Sequence, residues 1–268
     1  MLNRLLIPTT LVGLVLALVP VSAEHSLGDF HWARTSNPFS LDVGDNVSPV
    51  WDPFLDEAIA DWSQSAVLDL VKVDGGTLPG LCRPTEGRIE VCNARYGLTG
   101  WIAFFRIWAD GSHHITQAIT RLNDTYFDTA PFNTPAWRRY VMCQEIAHDF
   151  GLDHQDEIVD NPNLGSCMDY TNDPNGPPSD EHPNAHDFEQ LEIIYSHLDP
   201  FSTVGRTPRA AGPPAALSSG IDTPDQWGRL VRSSAAGRMQ VFEQVYGRGL
   251  KVVTGVFWTD PDRGRHER

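Results

Sequence analysis

The sequence predicts an α+β fold: a helix, a sheet, two further helices and a small antiparallel β tail. Three observations carry that expectation. Apolar residues recur at helical spacing in 51–66, short alternating runs follow one another from 67 to 123, and an unbroken helical run starts at Pro135 and reaches Gly151.

Each element has its own signal. Residues 24–47 are polar, with Pro and Gly, and read as an extended lead-in. Trp51, Phe54, Leu55, Ile59 and Trp62 fall on one helical face, and Asp52-Pro53 suits a helix start. Residues 67–73 (VLDLVKV) alternate and end at Gly75-Gly76, which reads as a strand. Residues 87–97, 99–111 and 113–123 read as three more. Asn133 or Thr134 can cap the next helix, and Pro135 suits its first position. Residues 155–182 are rich in Asp, Asn, Pro and Gly and read as loop. Phe188, Leu191, Ile194, Tyr195 and Leu198 mark a helical face within 183–199. Residues 201–222 form a Pro/Ala/Gly/Ser linker. Beyond it, alternating runs broken at 236–237 and 247–249 imply three short strands. The expected organisation is therefore a leader at 1–23, a main domain at 24–200, the linker, and a β-rich segment at 223–268.

The leader has a basic Arg4, an apolar run from Leu11 to Val19 and a small-residue site at Val21-Ser22-Ala23. This is the pattern of a signal peptide cleaved near Ala23, and it implies a secreted, extracellular protein. The apolar run is too short for a comfortable membrane span, so no membrane anchor is expected. Four cysteines are then expected to pair. Three pairings are possible; Cys82 and Cys92 flank a short turn, which leaves Cys143 with Cys167. The formal charge is −15, and loss of Arg4 makes it one unit more negative. So acidic a surface argues against nucleic acid as a partner. The chain is expected to act as a monomer.

The chemistry lies in CQEIAHDFGLDH, residues 143–154. Residues four apart on a helix share a face, so Gln144 and His148 point the same way. Glu145 is one step round. Gly151 can end the helix in the left-handed conformation and turn His154 back toward the same point. Two imidazoles, an amide and a carboxylate would then meet. A reactive zinc takes three protein ligands and keeps one position open. A nearby carboxylate can act as general base.

These residues, with Ser166-Cys167-Met168-Asp169-Tyr170 downstream, resemble the metzincin zinc endopeptidases, whose helix reads H-E-x-x-H-x-x-G-x-x-H before a Met-turn. The resemblance covers roughly residues 45 to 200. The helix order is most like the matrixin branch, and the S-x-M-x-Y turn is more like the astacin and serralysin branches. The resemblance implies a zincin fold, with a twisted sheet, an active-site helix and a closing helix. It implies zinc held by His148 and His154, with Glu145 as general base to a metal-held water. Met168 would floor the metal, and Tyr170 would be an extra ligand or oxyanion stabiliser. A protein or peptide substrate would lie extended along a sheet edge.

The departure is Gln144, where the family has histidine. Gln144 can ligate through its oxygen, with Tyr170 in support. Another residue can replace it, among His113, His114, Asp153, His182 and His186. Or the metal is absent, and the chain is a catalytically inactive secreted binding protein. The acidic run Asp153, Asp156, Glu157 and Asp160 could also hold calcium. Asn46 and Asn123 match the glycosylation acceptor pattern. The preferred expectation is a secreted zinc endopeptidase.

Overall fold

The computed structural model describes residues 25–205, 223–235 and 237–259. The expected leader and residues 206–222 of the expected linker lie outside the described residues. In chain order the elements are β1 (His31–Trp32), β2 (Phe39–Asn46), α1 (Asp52–Trp62), β3 (Leu68–Asp74), β4 (Ile89–Ala94), β5 (Trp101–Ala109) and β6 (His114–Asn123). They continue with α2 (Asp124–Phe127), α3 (Pro135–His148), α4 (Ala185–Ile194), β7 (Arg229–Ser233), β8 (Met239–Val245) and β9 (Lys251–Trp258).

The strands form one nine-stranded mixed sheet in the order β3-β2-β4-β6-β5-β9-β8-β7, with β1 beside the start of β6. Pairs from β3 to β6 are parallel, and pairs from β6 through β5, β9 and β8 to β7 are antiparallel. The lead-in is therefore more than extended chain. Phe39, Leu41 and Val43 alternate inward and make β2 an inner strand. Its Asp and Gly residues, poor strand formers, hide that period.

The tail strands are antiparallel, as the sequence implies, and they extend the main sheet. Pairing of β9 with β5 runs from Trp101 to Ala109. Every residue of β5 is buried. One sheet face packs under α1 and α3, where Met239, Val241, Val253 and Phe257 of the tail join the main core. On a second cluster, Trp101, Phe104 and Trp108 meet Trp227, Phe242 and Trp258. At ~25 cal/mol per Å² of apolar surface, such burial makes the tail an energetic part of the same unit.

Two disulfides join Cys82 to Cys92 and Cys143 to Cys167. Among the described residues no helix is long and apolar enough to cross a membrane. Asn46 and Asn123 are buried. Their amides bond Glu90 and the Gly97 carbonyl respectively, so neither presents a side chain to a glycan.

Candidate metal and active site

The site is built on the end of α3. Thr134 caps this helix, its Oγ1 accepting from the Trp137 amide at 3.2 Å, and Pro135 opens it. From Tyr140 to its end the helix is buried. Gly151 reverses the chain at φ +95°, and a Cβ there would meet the Phe30 carbonyl at 2.3 Å. Only glycine meets both demands. The N-terminal residues pin the reversal, with the Leu27 amide on the Gly151 carbonyl and the Asp153 amide on the His25 carbonyl, both at 2.8 Å.

This turn brings His148 and His154 together, with their Nε2 atoms 3.1 Å apart. His148 Nδ1 lies 2.8 Å from the Leu152 carbonyl, so Nδ1 carries the proton and Nε2 presents a lone pair. His154 Nδ1 lies 3.3 Å from Asp153 Oδ1 and 3.7 Å from Glu157 Oε1. These carboxylates favour a proton on that nitrogen and a bare Nε2 facing His148. Two nitrogens on a tetrahedral zinc, each at about 2.0–2.1 Å, stand about 3.3 Å apart. The observed pair fits.

Glu145 supplies a second mark of fit. It is fully buried, and neither carboxylate oxygen has a hydrogen-bond partner among the described residues. An orphaned buried carboxylate is costly without a cation nearby. Burial, then Asp149, holds Glu145 well above the usual carboxylate range. Burial and the neighbouring His154 hold His148 well below the usual histidine range. Burial pulls His154 down as well, but Asp153 and Glu157 leave it raised.

Gln144 is also buried. Its Nε2 donates to the Tyr140 hydroxyl at 3.0 Å and to the Cys167 carbonyl at 2.9 Å. Both acceptors are unambiguous, because the Tyr140 hydroxyl itself donates to the Asp169 carbonyl. The amide hydrogens are thus engaged, and the carbonyl oxygen is the atom Gln144 has left for a metal.

The downstream turn approaches from the other side. Met168 is fully buried, and its amide donates to Ser166 Oγ at 2.9 Å. The Tyr170 ring stacks on His154 at 4.3 Å, and its buried hydroxyl has no hydrogen-bond partner among the described residues. The Cys143–Cys167 disulfide links this turn to α3.

The other candidates are engaged elsewhere. His182 pairs with Asp61 at 2.7 Å, His186 stacks on His25, His113 sits near Asp29, and His114 sits between Asp110 and Asp199. Asp153 binds His154 and Arg232. The acidic loop does not gather as an oxygen cage: among the described residues Asp153 and Glu157 group with His154, while Asp156 accepts from the Ile158 amide and Asn161. Calcium finds no support there.

Sequence reasoning missed what the tail brings. Arg232 of β7 donates to Asp153 Oδ1 at 2.5 Å and lies 3.2 Å from Glu157 Oε1. Phe257 of β9 packs on Tyr170 at 5.8 Å. Phe105 of β5 packs on His148 at 4.4 Å. β5 is therefore the strand beside the site, and its second side pairs with β9. The edge of β5 beside the site is filled by the chain's own tail.

No family model and no curated protein sequence matches the chain. Among solved structures it is similar to myroilysin, at 14% identity and a TM-score of 0.35, over 62% of this chain and 96% of that one. It is also similar to high choriolytic enzyme 1, a hatching enzyme zinc-protease from the medaka fish Oryzias latipes, at 12% identity and a TM-score of 0.34, over 62% and 94%.

Proposed function

We propose that the chain is a secreted zinc-dependent endopeptidase whose C-terminal strands hold the site closed. The observation that carries this reading is the His148–His154 pair, 3.1 Å apart at Nε2, beside the unpartnered carboxylate of Glu145. His148, His154 and the Gln144 carbonyl oxygen would hold zinc. When bound, zinc would polarise a peptide carbonyl and acidify water. Glu145 would take the proton of the attacking water and return it to the leaving amine. The Tyr170 hydroxyl would donate to the carbonyl oxygen as negative charge develops on it. Asp153 and Glu157 would orient the His154 ring through its far nitrogen.

A peptide could add to β5 as a strand only after β9 gives way. The closure also favours a second reading, an inactive binding protein on the same fold. Hydrolysis of a fluorogenic peptide library separates the two. The first reading expects chelator-sensitive hydrolysis that zinc restores and that rises once the tail is loosened. Bound zinc with no hydrolysis, before or after loosening, would establish the second.

A further inference from the structure

A second group of imidazoles lies away from Glu145. His31 is in β1, His114 opens β6, and His197 and Asp199 follow α4. His31 Nε2 and His197 Nε2 stand 3.2 Å apart. His31 Nε2 lies 3.6 Å from Asp199 Oδ2, and His197 Nε2 lies 3.7 Å from Asp199 Oδ1. His114 Nε2 approaches the same Oδ1 at 3.5 Å. These separations are close to the tetrahedral edge of about 3.3 Å that zinc with nitrogen and oxygen ligands requires.

The protonation pattern suits a metal. His31 Nδ1 lies 2.9 Å from the Asp29 carbonyl, and His114 Nδ1 lies 3.0 Å from Asp110 Oδ2. Each contact puts the proton on Nδ1 and turns a bare Nε2 toward Asp199 and its neighbours. This outer arrangement of carbonyl and carboxylate is how ligating histidines are oriented. Asp199 is held in turn by Arg34, whose backbone amide and Nη1 both lie 3.3 Å from Oδ2. Oδ1 faces His197 and His114, and Oδ2 faces His31 as well as Arg34. Three of the four side chains are largely buried, and His197 is 54% exposed, which gives an ion a way in from solvent.

We propose that His31, His197 and Asp199 form a second metal site for zinc or a similar first-row divalent ion, with His114 at its carboxylate. Imidazole nitrogen selects such ions over calcium or magnesium. The ion would join β1 to the segment after α4. Backbone bonds already run there, from the Asp199 amide to Arg34 and from the Thr203 amide to Ala33, both at 2.9 Å. The role is structural: a clasp closing the two ends of the main unit where residues 206–222 begin. It does not depend on the peptidase reading.

The test is zinc stoichiometry of the untagged full chain, stripped with chelator and titrated back, with thermal unfolding measured at each step. Wild type should take two zinc ions per chain. His197→Ala, chosen because that side chain is the most exposed, should take one. His148→Ala should take one and keep a zinc-dependent rise in Tm, and that rise should vanish in His148→Ala/His197→Ala. His31→Gln should repeat the His197→Ala result. Cobalt in the His148→Ala protein should show tetrahedral absorption bands that His197→Ala removes. The clasp is overturned if His197→Ala and His31→Gln bind as much zinc as wild type, or if His148→Ala binds none. A wild type with one zinc, lost in His197→Ala and kept in His148→Ala, would leave the clasp standing and remove the peptidase reading.

Discussion

Two histidine pairs in this molecule share a geometry and differ in setting. His148 and His154 face each other at 3.1 Å, His31 and His197 at 3.2 Å. The first pair is sealed beneath Phe105, Tyr170 and the tail, beside a carboxylate with no partner among the described residues. The second opens to water through His197, and its carboxylate is already held by Arg34. The difference teaches that nitrogen spacing identifies a metal site but not its use. An unsatisfied base in a dry pocket is poised for chemistry, whereas a satisfied carboxylate beside a solvent-exposed imidazole is suited to holding two segments together.

Glu145→Gln tests that contrast most strongly. Peptide hydrolysis should fall by roughly 10²–10⁴-fold, the range for loss of a general base, while zinc stoichiometry stays at the wild-type value. Hydrolysis that survives would remove Glu145 as the base, and with it the chemical distinction between the pairs.

Gln144→His would sharpen the same contrast from the metal side. Replacing an amide oxygen by imidazole should tighten zinc at the buried site by about 10–100-fold. It also costs the bonds to Tyr140 and Cys167, so the variant should unfold at lower temperature without metal. Unchanged affinity would mean that position 144 does not face the ion.

The tail is what seals the first pair, and Gly255 is where it can be loosened. A Cβ on Gly255 would meet the Phe105 ring at 1.9 Å, and that ring packs on His148. Gly255→Ala should push β9 from β5, speed amide exchange in β9 about tenfold or more, and raise hydrolysis. Faster exchange with no gain in hydrolysis would show that β9 is not the barrier.

The sequence made these regions unequally legible. Glu145, His148, Gly151 and His154 lie within ten residues on one helix and its turn, so helical period and the Gly151 reversal bring them together. Tyr170 and Met168 follow in one short stretch. His31 and His197 are 166 residues apart, and no local period connects them. They meet because parallel pairing sets β1 against β6, and the chain after α4 returns to the same end. The three tail strands were readable one by one, but their union with β5 was not. Apart from Arg106, both faces of β5 are apolar, which is equally compatible with an edge strand under a lid and with an inner strand. Arg232 carries no sequence signal at all until β7 places it against Asp153.

The helix leading to each pair gives the smallest and most separable effects. α4 ends three residues before His197, and its start is a capping box in which Asp187 receives the Asn184 amide. Burial, partly offset by hydrogen bonds from Ser166 and Asn184, pushes the Asp187 carboxyl from 3.8 up to about 6. Between those values the folded chain keeps a proton that the unfolded chain has lost. The contribution of Asp187 to stability is therefore complete below about pH 4 and is lost as pH rises through about 6, an effect on the order of 2–3 kcal/mol. Asp187→Asn should gain on wild type by that amount as pH moves from 4 to 7, in denaturant titrations at matched salt; a pH-independent difference would mean Asp187 ionises normally. α3 begins instead with an uncharged cap, Thr134. Thr134→Ala should cost about 1 kcal/mol, by the same amount at pH 4 and pH 7. Zinc affinity at His148 should barely change, because the cap lies more than three turns away along a helix that is otherwise buried. A pH-dependent loss, or a large loss of zinc, would show that the start of α3 is coupled to the metal pair in a way the start of α4 is not coupled to His197.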